Sequence, residues 1–192
     1  LERYNKGFHI LDTDIHLTEM IKDVTSTYTD YKQIMDEVCL YHPDYDIAGT
    51  TDKLLINSKT IYLSNHGNLQ RIKTSLVDIE DYKSNRAKGI YYHSDYNKYM
   101  KGPVSHLQQC NYNRYVLQLS IYGVMYERLT GNKVRKLFIT YIEETTLKPI
   151  RIAVPYMKME AIAVLEYYYN SKNITILAKD AVLNLDETPN FD

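Results

Sequence analysis

The chain has 192 residues, with 23 Lys and Arg against 24 Asp and Glu for a formal net charge of −1, and 44% hydrophobic and 24% charged residues. That length fits one domain with an ordinary core. The charge excludes a polycation, so a nucleic-acid partner would need a local basic patch or metal ions bridging acidic groups to phosphate.

The two cysteines, Cys39 and Cys110, have no CxxC neighbour and read as free thiols, which leaves no cysteine-built zinc site or iron–sulfur cluster. No apolar run approaches the roughly 20 residues that span a bilayer, and no signal-peptide pattern opens the sequence. The expected location is intracellular (the cytoplasm, or a host cell for a viral protein), with no membrane partner. The sequence begins at Leu1, which fits a single domain over 1–192 excised from a longer protein, with irregular ends at 1–14 and 180–192.

The spacing of Ile15, Met20, Ile21, Val24, Tyr28, Tyr31 and Ile34 predicts a helix to about Met35, with His16 and Glu19 on one face. Glu37–Tyr41 reads as a strand and His42-Pro43-Asp44-Tyr45 as a turn. A second strand is expected over Tyr45–Ile56, then a turn at Asn57-Ser58-Lys59 and a third strand over Thr60–Leu63. Ser75–Lys83 is the next strand. Alternation along it puts Val77, Ile79, Asp81 and Lys83 on one face and Asp78, Glu80 and Tyr82 on the other. Asp78 and Glu80 are therefore expected on a solvated face, or supporting the site from behind.

Ser84–Gly102 reads as a long polar connection. Its tyrosines (Tyr91, Tyr92, Tyr96, Tyr99) and cations (Arg86, Lys88, Lys98, Lys101) fit a flap that stacks on a single strand and contacts its phosphates; they fit an ordinary polar loop equally well. His93 and His106 read as surface or hydrogen-bonding histidines. Asn111–Leu129 is the clearest helix, closed by Gly131. Strands over Val134–Glu143 and Pro149–Val154 and a helix over Met157–Asn170 follow, then a short segment at Ile174–Ala178. The order of strands, helix, strands and helix gives an α/β chain with a central mixed sheet flanked by helices.

Asp52 follows Gly49 in a strand, and Asp81 ends another. Acids in apolar strands are costly to bury unless paired or bound to a cation. On neighbouring strands, the two carboxylates can converge on one hard cation with oxygen ligands, Mg²⁺ or Mn²⁺. Lys83, two residues beyond Asp81, shares its face and can steady developing negative charge. A metal and a lysine so placed are what phosphodiester hydrolysis requires.

Three segments occur in order: Ile47-Ala48-Gly49-Thr50-Thr51-Asp52, then Asp81-Tyr82-Lys83, then Gln118-Leu119-Ser120-Ile121-Tyr122. As a set, with Glu37-Val38, Pro103, Ser105-His106-Leu107 and Tyr115, they resemble the RecB-like, phage-type exonuclease branch of the PD-(D/E)XK nuclease superfamily over roughly residues 35–145.

The resemblance implies a restriction-endonuclease-like core and a Mg²⁺- or Mn²⁺-dependent deoxyribonuclease using one or two ions. It implies an exonuclease rather than an endonuclease, and a 5′-phosphate product. Asp52 and Asp81 would bind metal with the Tyr82 backbone carbonyl, and Lys83 would be catalytic. Glu37, and His16 on the N-terminal helix, are further candidate ligands. Gln118 and Tyr122 would brace the site and touch DNA, with Tyr92 and Lys88 as further DNA contacts.

The implied partner is DNA, as single strands or duplex ends, with a larger recombination or replication complex or a homo-oligomer as the setting. The alternatives are a non-catalytic DNA-binding or assembly module with the same fold, and the nuclease domain of a larger helicase or recombination machine.

Overall fold

The computed structural model describes the backbone of residues 15–65, 68–84, 90, 98–142 and 148–185, and the side chains of 19–57, 76–84, 90, 98–142 and 148–173. Among the described residues five strands form one mixed sheet in the order β1 (Gln33–His42), β2 (Ile47–Asn65), β3 (Asn68–Ser84), β4 (Lys133–Ile142) and β5 (Pro149–Val154). Neighbours are antiparallel except β3 and β4, which run parallel. The parallel pair needs a crossover, and helix α2 (Asn111–Thr130) supplies it. Helices α1 (Ile15–Ser26) and α3 (Lys158–Leu185) complete the expected α/β arrangement of a mixed sheet flanked by helices. Among the described residues no helix is long and apolar enough to cross a membrane.

Helix α2 forms where its periodicity predicts, and both its ends are capped. Cys110 has extended backbone and its Sγ accepts from Asn113 N–H at 3.5 Å, while Gly131 at φ 70° sends its N–H to the Glu127 carbonyl. This is the left-handed stop that glycine adopts without penalty. Its Val116, Leu119, Met125 and Tyr126 pack on Val77 and Ile79 of β3 and on Leu137 and Ile139 of β4. Helix α3 lies outside α2, joined through Val124, Ala161 and Leu165. Helix α1 covers the opposite face of the sheet, where Val24 and Tyr28 pack against Leu55.

Three predicted boundaries move. Helix α1 ends at Ser26 instead of continuing to Met35. Thr25 and Ser26 hydroxyls bond back to the Ile21 and Asp23 carbonyls at 2.9 and 2.8 Å, and Thr27 bonds the Val24 carbonyl at 2.7 Å, a competition with helix propagation typical of hydroxyl residues. Asn57-Ser58-Lys59 is no turn. It lies in β2, paired with Leu76, Ser75 and Thr74 of β3, and the hairpin register runs on to Asn65 opposite Asn68. Helix α3 continues through the predicted break at Asn170–Asn173 and through residues 180–185, which were expected to be irregular. Asn and Ser are only mildly poor helix formers, and no Gly or Pro interrupts the chain between Pro155 and Pro189.

The face under α1 corrects a further expectation. Asp78 and Glu80 do turn away from Asp81, but both are fully buried. Glu80 accepts hydrogen bonds from Tyr28 Oη (2.8 Å), Thr140 Oγ1 and Arg151 Nε (2.9 Å). Asp78 accepts from Tyr31 Oη (2.6 Å), from Arg135 Nε (2.8 Å) and from Arg135 Nη2. Lys53, buried to 1% exposure, pairs with Asp36, its cross-strand neighbour. Three carboxylates thus face three cations in a closed polar layer, the condition under which buried charge is tolerated. Burial, together with the neighbouring Glu80 charge, pushes the Tyr28 hydroxyl far above its ordinary range and keeps it a donor.

Candidate active site

The site forms where two neighbouring strands part. The β2–β3 ladder ends at Lys53 opposite Glu80. Beyond it, β2 stays paired with β1, and β3 with β4. The next inward backbone donor of β3, Tyr82 N–H, goes instead to the Asp52 carboxylate (Oδ2, 2.7 Å). Asp52 therefore occupies the gap between the separating strands.

Asp81 sits beside it, 3% exposed. Burial pushes its carboxyl above the ordinary carboxylate value, the Lys83 ammonium pulls it back down, and the adjacent Asp52 carboxylate adds to the rise. Lys83 forms an ion pair with Asp81 Oδ2 and stands 4.9 Å from the centroid of the Tyr115 ring on α2. The ring confines the ammonium through its π face. Tyr115 stood in the sequence as part of the helix and of the set that carries the resemblance; its place over Lys83 required the tertiary structure.

Gly49 joins the strand to the helix. A Cβ at this position would lie 2.8 Å from Tyr122 Cε1, so only glycine lets β2 approach α2 this closely. Tyr122 is 8% exposed and its hydroxyl accepts from Gln118 Nε2 at 2.9 Å. Gly49 and Leu54 both face α2 although five positions separate them, so the alternation of β2 breaks between them.

The break has a counterpart in β1, where Glu37 takes φ 49°. The flanking pairs Asp36–Lys53 and Val38–Thr51 set Glu37 opposite Asp52 in the register. Glu37 is exposed.

Among the described residues, no group of three or more His, Cys, Asp or Glu side chains is gathered as a ready-made metal cage. Two adjacent carboxylates still suit Mg²⁺, which keeps several waters and takes only one or two protein carboxylates. His16 lies on α1, whose Val24 packs on the opposite face of the sheet from Asp81; its side chain lies outside the described residues. Lys88, Tyr92 and most of the tyrosine-rich connection also lie outside them. Of that connection, Lys98, Tyr99 and Lys101 are exposed. His106 is exposed, with Nε2 3.8 Å from Glu160 Oε1.

No family model matches the chain, and no curated protein does. Two solved structures share part of its backbone course. The crystal structure named "Putative exonuclease", from Eubacterium rectale, is 18% identical with a TM-score of 0.40, over 83% of this chain and 52% of its own. The protein SSO0001 is 13% identical with a TM-score of 0.31, over 80% of this chain and 57% of its own. The chain thus spans little more than half the length of either, and likeness at this level assigns no activity.

Proposed function

We propose that the protein is a metal-dependent nuclease that hydrolyses DNA phosphodiester bonds, acting as an exonuclease. The observation that carries this reading is the convergence of Asp52 and Asp81 at the parting of β2 and β3, with Lys83 held on Asp81. Asp52 and Asp81 would hold one or two Mg²⁺ or Mn²⁺ ions, with the Tyr82 carbonyl and Glu37 as further donors. Such an ion, when bound, lowers the pKa of a water and polarises the phosphoryl oxygen.

The chain's own groups do the rest. Asp81, buried and crowded by Asp52, has a strong electrostatic demand for a counter-charge. Lys83 supplies a positive charge that meets the negative charge developing on the phosphate. Tyr122, fixed by Gln118 and seated on Gly49, closes the wall on the α2 side.

The test is cleavage of end-labelled linear and circular DNA, single- and double-stranded, with Mg²⁺, Mn²⁺ or EDTA, comparing wild type with Asp81→Ala. Metal-dependent degradation lost in the variant is expected, with circles surviving. DNA binding without cleavage under any condition would favour a non-catalytic module. Cleavage of circles would make the enzyme an endonuclease.

A further inference from the structure

A cavity of about 450 Å³ opens between β2 and α2, with Gly49 and Tyr122 in its lining and Gly49 three residues before Asp52 on β2. Its walls include Met100, Leu117, Ile121 and Met125, Gln109 and Gln118 supply amide groups, and Lys101 and Arg114 contribute cations. Asp52, Asp81 and Lys83 do not line it. The cavity is therefore distinct from the candidate active site and is linked to it along β2 through Gly49.

The outer wall is fixed in place. Met100 N–H donates to the Leu107 carbonyl and Gln109 N–H to the Lys98 carbonyl, each at 2.8 Å, and Asn113 Nδ2 holds the Gln108 carbonyl at 2.8 Å. Its size lies within the range of small-molecule pockets, as does its mixture of apolar walls and a few polar groups.

From this arrangement we infer that the cavity receives one unpaired nucleobase of a DNA strand whose backbone passes the carboxylates. The inference rests on the nuclease reading for the identity of the strand. A nucleobase offers two apolar faces, a hydrogen-bonding edge and an attached phosphate. The Met, Leu and Ile walls match the faces, Gln109 and Gln118 the edge, and the exposed Lys101 and Arg114 the phosphate.

Along extended β2, the three residues from Gly49 to Asp52 span about 10 Å. A strand covers that distance in about three stacked nucleotides at ~3.4 Å each. The base in the cavity therefore belongs to the same strand as the scissile phosphate, a few nucleotides away. A paired base cannot enter, so the substrate at this point is single-stranded or a frayed end.

The test is fluorescence anisotropy in EDTA with a 5′-fluorescein-labelled oligothymidylate roughly twelve nucleotides long, within the ~4–16 nucleotide footprints of single-strand sites. The same strand is then made with one abasic site at each position in turn. Loss of one base is expected to weaken binding about tenfold at one register, as for loss of a stacked base, and little elsewhere.

Leu117→Trp fills the cavity from a half-buried position on the α2 wall and is expected to flatten that profile. Lys101→Ala with Arg114→Ala should weaken every strand while keeping the register dependence. Equal affinity for all the abasic strands, or no binding of the parent strand, overturns the inference. A register-dependent profile in a protein that cleaves under no metal condition would retain the base site and reject the nuclease. Cleavage with a flat profile would do the reverse.

Discussion

Glu80→Ala should be among the most destabilising single changes in this chain, although Glu80 takes no part in the proposed chemistry. The substitution removes the acceptor for Tyr28, Thr140 and Arg151 at once and leaves a cavity at a fully buried position. Breaking a buried ion pair on one side costs about 3–5 kcal/mol. Arg151 is 21% exposed and its guanidinium keeps the Phe138 ring, 3.7 Å from its centroid, so part of its charge can be hydrated and the lower end, about 3 kcal/mol, applies. With a urea m-value near 2 kcal/mol per molar, the unfolding midpoint should fall by about 1.5 M, a large share of the ~5–15 kcal/mol total. Glu80→Leu combined with Arg151→Met should recover part of the loss, because it removes both charges and fills the space but leaves Thr140 without its acceptor. The assay is equilibrium urea unfolding followed by far-UV circular dichroism. A midpoint shift below about 0.5 M for Glu80→Ala, or a double variant no better than the single, would refute the view that this layer is a closed, mutually satisfied set.

Gly49→Ala pushes a methyl group into the Tyr122 ring. It should cost about 1–3 kcal/mol as overpacking and disturb the Gln118 hydrogen bond, read as a lower thermal midpoint with weaker strand binding; an unchanged protein would mean that the two elements do not touch. Lys83→Ala should lower cleavage by about 10²-fold or more while leaving the far-UV circular dichroism spectrum that of a folded protein, and cleavage at the wild-type rate would show the site to be misassigned.

His42 is 5% exposed, and burial holds its imidazole below the ordinary value of 6.5 against the upward pull of Asp44, with Arg128 adding to the depression. Its folded pKa is depressed, so its stabilising contribution is present above about pH 6.5 and is lost as the pH falls below it. Replacing it with Phe, which keeps the ring beside Tyr45, should therefore flatten the acid side of the stability profile. Urea midpoints at pH 7.5 and about 5.5 measure this, and parallel shifts in the two proteins would exclude His42 as the cause.

The site-bearing strand was legible because its pattern is period two. From Val77 to Lys83, the structure keeps each residue on the face that alternation assigns. Helix α2 was legible for the complementary reason, a helical apolar series followed by Gly131. What the sequence concealed was the use of the second face. Asp78 and Glu80 carry no local mark of burial, because their partners lie 47–71 positions away, at Tyr31, Tyr28, Arg135, Thr140 and Arg151. The stacking of Tyr115 on Lys83 and the meeting of Gly49 with Tyr122 are likewise products of the crossover that brings α2 over β2 and β3. The long β2–β3 hairpin was misread at Asn57-Ser58-Lys59 because turn-forming residue types there are outweighed by a continuous ladder on β3.

Strand β3 is two-faced in a way that couples its stability to the proposed chemistry. Glu80 belongs to the ion layer and Asp81 to the site, and a one-residue slip against β2 and β4 would exchange them. After such a slip, Arg151, Thr140 and Tyr28 would lose the carboxylate that satisfies them, and Glu80 would meet the apolar wall of α2 formed by Val116 and Leu119. A two-residue slip would keep each residue on its face, and an apolar layer would resist it little, since one aliphatic side chain replaces another at small cost. A buried polar network charges the full cost of every donor left without an acceptor. The ion layer therefore does more than tolerate its charges. By fixing the frame of β3, it fixes which acid lies beside Asp52 and which face carries Lys83.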